Sequence, residues 1–237
     1  MSETAADWLA HVRQFERRGE LLLAYDTALQ GLEAHPGDVW LAHRAVLNLA
    51  KAGATTRAQA EFTKLGLERS REPDVIALGA RIAKDRALSA NDAERSALLS
   101  HAADLYDAVY RESRSYYPAV NVATLRLLAG EREAATRAAR EVIALCEGEG
   151  GSAEDAYYRT ASLAEAALVL GDAEAASAAL ARAAEHDADL AARAATRRQL
   201  RLICTSLGID EDVLAPLAAP GVIHYTGHMI AAPGNEG

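Results

Sequence analysis

The residues able to do chemistry are scattered rather than gathered. His224 and His228 stand four apart, a spacing that puts two imidazoles on one helical face, but Gly227 lies between them and no nearby carboxylate or cysteine completes a ligand set. Cys146 and Cys204 are 58 residues apart with no metal or redox spacing between them, and they read as buried thiols of a reducing compartment. The run Glu147-Gly148-Glu149-Gly150-Gly151-Ser152 is glycine-rich, yet it lacks the preceding strand and the Gly-Lys-Ser/Thr ending that cradle a phosphate, so it reads as a linker. There is no Gly-x-Ser-x-Gly elbow and no His-Glu-x-x-His helix. With 34 acidic residues, carboxylate pairs single out nothing. The sequence therefore gives no catalytic residue, no cofactor and no metal site. One polar group remains: Arg81, Lys84 and Asp85 fall within about one helical turn, and Asn121 follows near the start of a later helix.

Composition narrows the class of partner. The 237 residues carry 25 basic and 34 acidic side chains, a formal charge of −9, which argues against a nucleic-acid backbone as the main ligand. Only Lys51, Lys64 and Lys84 are lysines. No apolar run reaches the ~20 residues a membrane helix requires, and Met1-Ser2-Glu3-Thr4 lacks the basic start of a secretory leader, so the expected location is cytoplasmic, with no membrane partner.

Half the residues are hydrophobic but only 5% are aromatic, as suits an all-α chain whose helices approach through alanine. Apolar positions recur at helical spacing and short breaks separate the segments. The expected hairpins run from about Glu3 to Arg18 and Glu20 to Ala34, then Val39 to Ala52 and Thr55 to Ser70. Asp38 is placed to cap the third helix, and Thr55 or Thr56 the fourth. Pro73 opens a third unit whose second helix, Ala93 to Glu112, is long. A fourth unit runs from Pro118 to Ala129 and Glu131 to Cys146, and a fifth turns at Gly171-Asp172. A last helix, about Ala188 to Leu207, is expected to cap the stack, with Arg193, Arg197 and Arg201 on a solvated face. The helical domain is expected over 1–208. Residues 209–237 then read as an extended tail in which Val222-Ile223-His224-Tyr225-Thr226 has strand-like composition, pairing elsewhere, lying against the helices or opening a following α/β domain.

The first hairpin resembles a tetratricopeptide repeat: Trp8 and Phe15 on the first helix, Gly19 at the turn, Ala24 and Leu32 on the second helix, and Pro36 at its end. Glycine returns at Gly53, 34 residues on, which is the period of that family. The next turn glycine, Gly130, is 77 residues further, nine more than two repeats. A second resemblance is narrower. Ala80-Arg81-Ile82-Ala83-Lys84-Asp85 and Tyr116-Tyr117-Pro118-Ala119-Val120-Asn121 look like the TRAFs-binding repeat region of apoptosis signal-regulating kinases and bacterial multidomain signalling proteins. That family usually has Gly-Arg-Ile-aromatic-Lys-Asp and Gly-Ile-Asn; here both glycines are alanine and the aromatic is Ala83.

These resemblances imply a right-handed α-solenoid that recruits a protein or peptide partner in signalling and performs no catalysis. The alternative they imply is the N-terminal sensor or transmitter part of a larger nucleotide-binding or enzymatic protein. In tetratricopeptide arrays the first helices of successive hairpins line the concave face, which places Arg13, Trp40, His43, Leu47, Tyr117, Val120, Thr124, Tyr158 and Glu165 there as candidate partner contacts; Asn121 is a candidate contact beside them. Arg81, Lys84 and Asp85, with Asn121, either hold a partner's polar groups or tie units three and four together; the second is favoured, because irregular stacking leaves polar groups to satisfy.

Overall fold

A computed structural model describes residues 3–147, 153–186, 188 and 190–218. Eleven α-helices follow one another along the described chain: α1 (Ala5–Arg17), α2 (Leu21–Ala34), α3 (Val39–Lys51), α4 (Thr55–Lys64), α5 (Pro73–Ser89), α6 (Asp92–Ser113), α7 (Tyr116–Leu128), α8 (Arg132–Cys146), α9 (Ala153–Val169), α10 (Ala173–Glu185) and α11 (Leu190–Leu207). Short 3-10 helices occupy Leu67–Arg69 and Glu211–Leu217. The architecture is the α-solenoid of tetratricopeptide type expected from the sequence.

Local chemistry explains the helix ends. Thr4 and Asp7 form a reciprocal capping box before α1. The Asp38 carboxylate accepts from the Trp40 and Leu41 amides at 3.0 and 2.9 Å, as its position predicts. Asp172 caps α10 in the same way, accepting from the Ala175 amide at 2.9 Å. Thr55 and Thr56 do not cap α4. They lie inside the helix, and its N-cap position is Ala54, which has no side chain to bond. Helix α7 starts two residues earlier than its proline suggests, at Tyr116 with Ser115 as N-cap, because a proline in the first turn removes an amide that has no helical acceptor anyway. Gly53 and Gly130 turn their hairpins at φ 78° and 87°, where a side chain would be strained. After α6 that conformation is taken by Arg114 at φ 50°.

Each even-numbered helix from α2 to α8 packs on the odd-numbered helices either side of it. The odd-numbered helices also touch in series, α1 with α3, α3 with α5, and α7 with α9. Helices α5 and α7 make no comparable contact; both lean on α6, whose 22 residues make it the longest of the eleven described helices. That is the structural counterpart of the nine extra residues in the glycine spacing. The core is correspondingly divided. One cluster gathers Val12, Ala24, Ala45, Phe62 and Ile82; a second, around α6, gathers Ala87, Leu99, Tyr106 and Leu125; a third runs from Ala119 to Leu217.

The last helix departs from its expected place. Rather than lying over α10, α11 packs against α7 and α9, and the 3-10 helix Glu211–Leu217 covers α10 in its stead. Burial drives this arrangement: Leu200, Ile203, Leu214 and Leu217 are all within 1% of complete burial. The three arginines expected on a solvated face bind locally. Arg193 donates to the carbonyls of Ala184, His186 and Ala188, beside the end of α10. Arg197 donates to the Leu214 carbonyl at 2.7 Å, and Arg201 pairs with Glu211 at 2.9 Å. Residues 209–218, expected as extended tail, thus form part of the helical body. The strand-like stretch 222–226, together with His224 and His228, lies outside the described residues.

Candidate functional site: the inner helical face

Most neighbouring odd-numbered helices are joined by side-chain bonds, a feature hard to read from sequence because each partner lies some 30 to 40 residues away. At the N-terminal end, Glu16 on α1 accepts from Arg44 at 3.1 Å and from Asn48 at 2.8 Å, both on α3. Across the gap between α5 and α7, Lys84 Nζ donates to Asn121 Oδ1 at 2.9 Å. Between α7 and α9, Thr124 Oγ1 donates to Glu165 Oε1 at 2.5 Å, and Tyr116 donates to Asp155 at 2.7 Å. Gln199 on α11 donates to the same Glu165 oxygen at 3.1 Å.

These bonds divide the candidate contact residues into two sets. Arg13 is exposed and Leu47 half-buried, and three aromatics project outward: Trp40 is 39% exposed, Tyr117 48% and Tyr158 41%. His43, Val120, Asn121, Thr124 and Glu165 are buried. For Thr124 and Glu165 the reason is their mutual bond beneath Gln199, since α11 covers the inner face at that level. His43 touches the Trp40 ring edge-on, with centroids 6.0 Å apart, and burial holds its pKa below the usual imidazole value, with Arg44 adding to the effect.

The group around Lys84 brings several charges together on this face. Arg81 and Asp85 pair across one turn at 3.8 Å. The Lys84 ammonium also stands over the Tyr106 ring, 5.9 Å from its centroid, and Tyr106 meets Tyr117 edge-on at 6.3 Å. Burial lowers the Lys84 pKa and raises that of Glu165; the nearby Asp85 and Glu165 pull Lys84 back up, while Arg81 and Arg198 push it further down. Sequence reading singled out Lys84 and Asn121 but missed Tyr106, Arg198 and Gln199, which come from helices whose approach to this point depends on the irregular third unit.

Elsewhere the surface carries a cavity of about 340 Å³ between α4, α5 and α6, with Phe62, Ile76 and Leu98 among its apolar lining and Arg86 and His101 among its polar groups. Among the described residues no group of three or more His, Cys, Asp or Glu side chains could hold a metal ion, and no helix is long and apolar enough to cross a membrane.

Fold and face together define a tetratricopeptide-type solenoid. Residues 20–126 match the family described as Tetratricopeptide Repeats-Sensor. The structure is similar to the crystal structure of a thermophilic TPR protein of Thermus thermophilus, with a TM-score of 0.65 at 20% identity over 84% of this chain and 100% of that one. A search of curated proteins returns no match.

Proposed function

We propose that the chain is a protein-interaction scaffold and regulatory module that presents the open part of its inner helical face to a partner protein or peptide in cytoplasmic signalling. The observation that supports this reading most is the outward projection of Trp40, Tyr117 and Tyr158 from three inner helices, α3, α7 and α9. Large aromatics lose little side-chain entropy on contact and contribute disproportionately to binding, so exposing three on one series of helices suits a docking surface. Arg13 and Leu47 extend it towards the N-terminus. The acidic balance of the chain, −9, keeps nucleic acid off the list of partners. Affinity capture with the intact protein tests the reading: a variant carrying Trp40→Ala, Tyr117→Ala and Tyr158→Ala should fold and lose the captured partner. Partner binding unaffected by the triple change would overturn it.

A second reading, a sensor and transmitter segment of a larger signalling protein, is favoured by one observation: the region matching the sensor-described family, 20–126, contains Lys84 and Asn121, and the bonds of Glu165 extend that polar series to α11. The narrower likeness to the TRAFs-binding region supports the same view. The genomic reading frame separates the two, since continuation into an α/β domain supports the transmitter and a stop codon supports the free adaptor.

A further inference from the structure

Helices α4, α5 and α6 do not close on one another completely. The 10 residues of α4 span about 15 Å, against about 26 Å for the 17 of α5, so α4 cannot cover the whole α5–α6 pair. The cavity of about 340 Å³ lies there, within the range of small-molecule sites, about 300–1,000 Å³. Two helix faces line it: Ile76, Gly79, Ala83 and Arg86 recur at helical spacing along α5, and Leu98, His101 and Leu105 along α6. Gly79 and Ala83 are small, and the Phe62 ring of α4 takes up only part of the room they leave, lying 3.1 Å from where a Gly79 Cβ would stand.

The slot is apolar along its length and carries an unanswered cation at its end. Ile76, Ala83, Leu98 and Leu105 are only half-buried, so their apolar surface is still open to water. Arg86 stands about 15 Å beyond Ile76 along α5, three helical turns further on. It is exposed, and neither it nor His101 makes a hydrogen bond or ion pair with any described residue. Glu68, the one acid among the described lining residues, accepts from the Thr63 hydroxyl, outside the lining, at 3.1 Å.

We propose that this slot binds a medium-chain carboxylate, its apolar chain lying against Phe62, Ile76 and Leu98 and its carboxylate meeting the Arg86 guanidinium. The planar guanidinium offers two parallel N–H donors, the pair that matches the two oxygens of a carboxylate. A monoanion suits the lining better than a dianionic phosphate ester, because Glu68 and the net charge of −9 oppose a second negative charge. Covering the half-buried apolar residues supplies the driving force, and the carboxylate fixes which end of the chain lies at Arg86. The bound chain would brace α4 against α5 and α6, in the irregular third unit. Trp40, Tyr117 and Tyr158 do not line the slot, so the site is independent of the partner reading.

Calorimetric titration and thermal melting of the full chain test the proposal, with sodium octanoate as probe, 1-octanol as its uncharged counterpart and octyl phosphate as its dianionic one. Octanoate should bind saturably and raise Tm, and both comparators should bind about tenfold more weakly, as for loss or mismatch of one charge-assisted contact. Arg86 supports no described contact, so Arg86→Gln should fold normally while octanoate affinity falls about tenfold, to the level of 1-octanol. Ala83→Leu fills the slot and should abolish octanoate binding; if the leucine is not accommodated and the chain fails to fold, Arg86→Gln decides alone. Trp40→Ala should leave binding unchanged. Absence of saturable octanoate binding, equal binding of octanoate and 1-octanol, preference for octyl phosphate, or unchanged affinity in Arg86→Gln would each overturn the proposal. So would undiminished binding by a folded Ala83→Leu protein, because the ligand would then lie elsewhere. None of these results touches the aromatic docking surface, which the triple variant tests separately.

Discussion

Lys84 on α5 donates to Asn121 on α7 at 2.9 Å, and the Asn121 amide in turn donates to the Tyr117 carbonyl one turn back, so a single asparagine side chain fastens the widest gap in the inner series of helices. Asn121 is 5% exposed, and its removal would leave the Lys84 ammonium without a hydrogen-bond acceptor. Asn121→Ala should therefore cost about 1–3 kcal/mol, the usual penalty for an orphaned buried polar group. The neighbouring Arg81–Asp85 pair is weaker at 3.8 Å, with side chains 30% and 27% exposed, and Asp85→Ala should cost at most about 1 kcal/mol. Urea unfolding curves measure both. Equal losses for the two variants would show that the fastening role assigned to Asn121 is wrong.

Glu165 should make stability depend on pH in a direction opposite to that of most carboxylates. Burial raises its pKa, although the hydrogen bonds from Thr124 and Gln199 and the charge of Lys84 pull it down. A carboxyl with a raised folded pKa holds its proton more tightly in the folded state. Its contribution is thus fully present below the ordinary carboxylate range and is lost as pH rises towards the folded value. Glu165→Gln keeps an oxygen to accept both hydrogen bonds and cannot titrate. The stability of this variant relative to the unaltered chain should increase as pH is raised from about 4 to about 7. A difference that stays flat, or runs the other way, would show that Glu165 is not held towards its neutral form.

Cys146 offers a simpler titration. Burial pushes its thiol up to about 11, against a smaller opposing pull from Arg159. At pH 8 roughly one molecule in a thousand then carries the thiolate, the species that reacts. Cys204, also buried, is raised for the same reason. Labelling of both thiols by a disulfide reagent should be slow in the native protein and rapid in urea. Fast stoichiometric labelling without denaturant would contradict the burial of these residues.

What the sequence made legible follows from distance along the chain. Hairpins depend on neighbours: Gly53 and Gly130 mark turns, Asp38 and Asp172 mark helix starts, and the alanines that pair helices are a few turns apart. The repeat period carried the fold class in the same way, and the break in it located the long α6. The course of α11 was not legible, because Leu200, Ile203, Leu214 and Leu217 are hydrophobic in any packing, and nothing local says which helix they meet. With α11 unplaced, the concave-face count could not separate exposed Tyr117 from buried Thr124, nor bring Gln199 to Glu165.

Gly79 illustrates a packing constraint that local pattern hides. It sits inside α5, where glycine costs about 1 kcal/mol relative to alanine, yet a Cβ built there would lie 3.1 Å from the Phe62 ring of α4. Gly79→Ala exchanges the helix-propensity gain for that close approach, and the net change should be within about 1 kcal/mol of zero. Gly79→Val adds two methyl groups to the same contact and should destabilise by about 1–3 kcal/mol. Thermal melts of the two variants decide this, and a valine variant as stable as the parent would mean that α4 and α5 are packed less closely here.

The 3-10 helix after α11 provides the last test, because it covers α10 where α11 does not. Leu214 is completely buried between α10 and α11, and its carbonyl accepts from Arg197 at 2.7 Å. If Glu211–Leu217 covers α10 as a capping element, Leu214→Ala should cost about 2–5 kcal/mol, the range for emptying a buried leucine site. Arg197→Ala should cost less, about 1–2 kcal/mol, through the unpaired carbonyl. Arg197 holds the backbone that seats the Leu214 side chain, so the combined effect should fall short of the sum, and denaturant unfolding of the double variant measures that coupling. A Leu214→Ala protein with unchanged stability would show that Glu211–Leu217 does not hold α10, and the closing of α10 would then need another explanation.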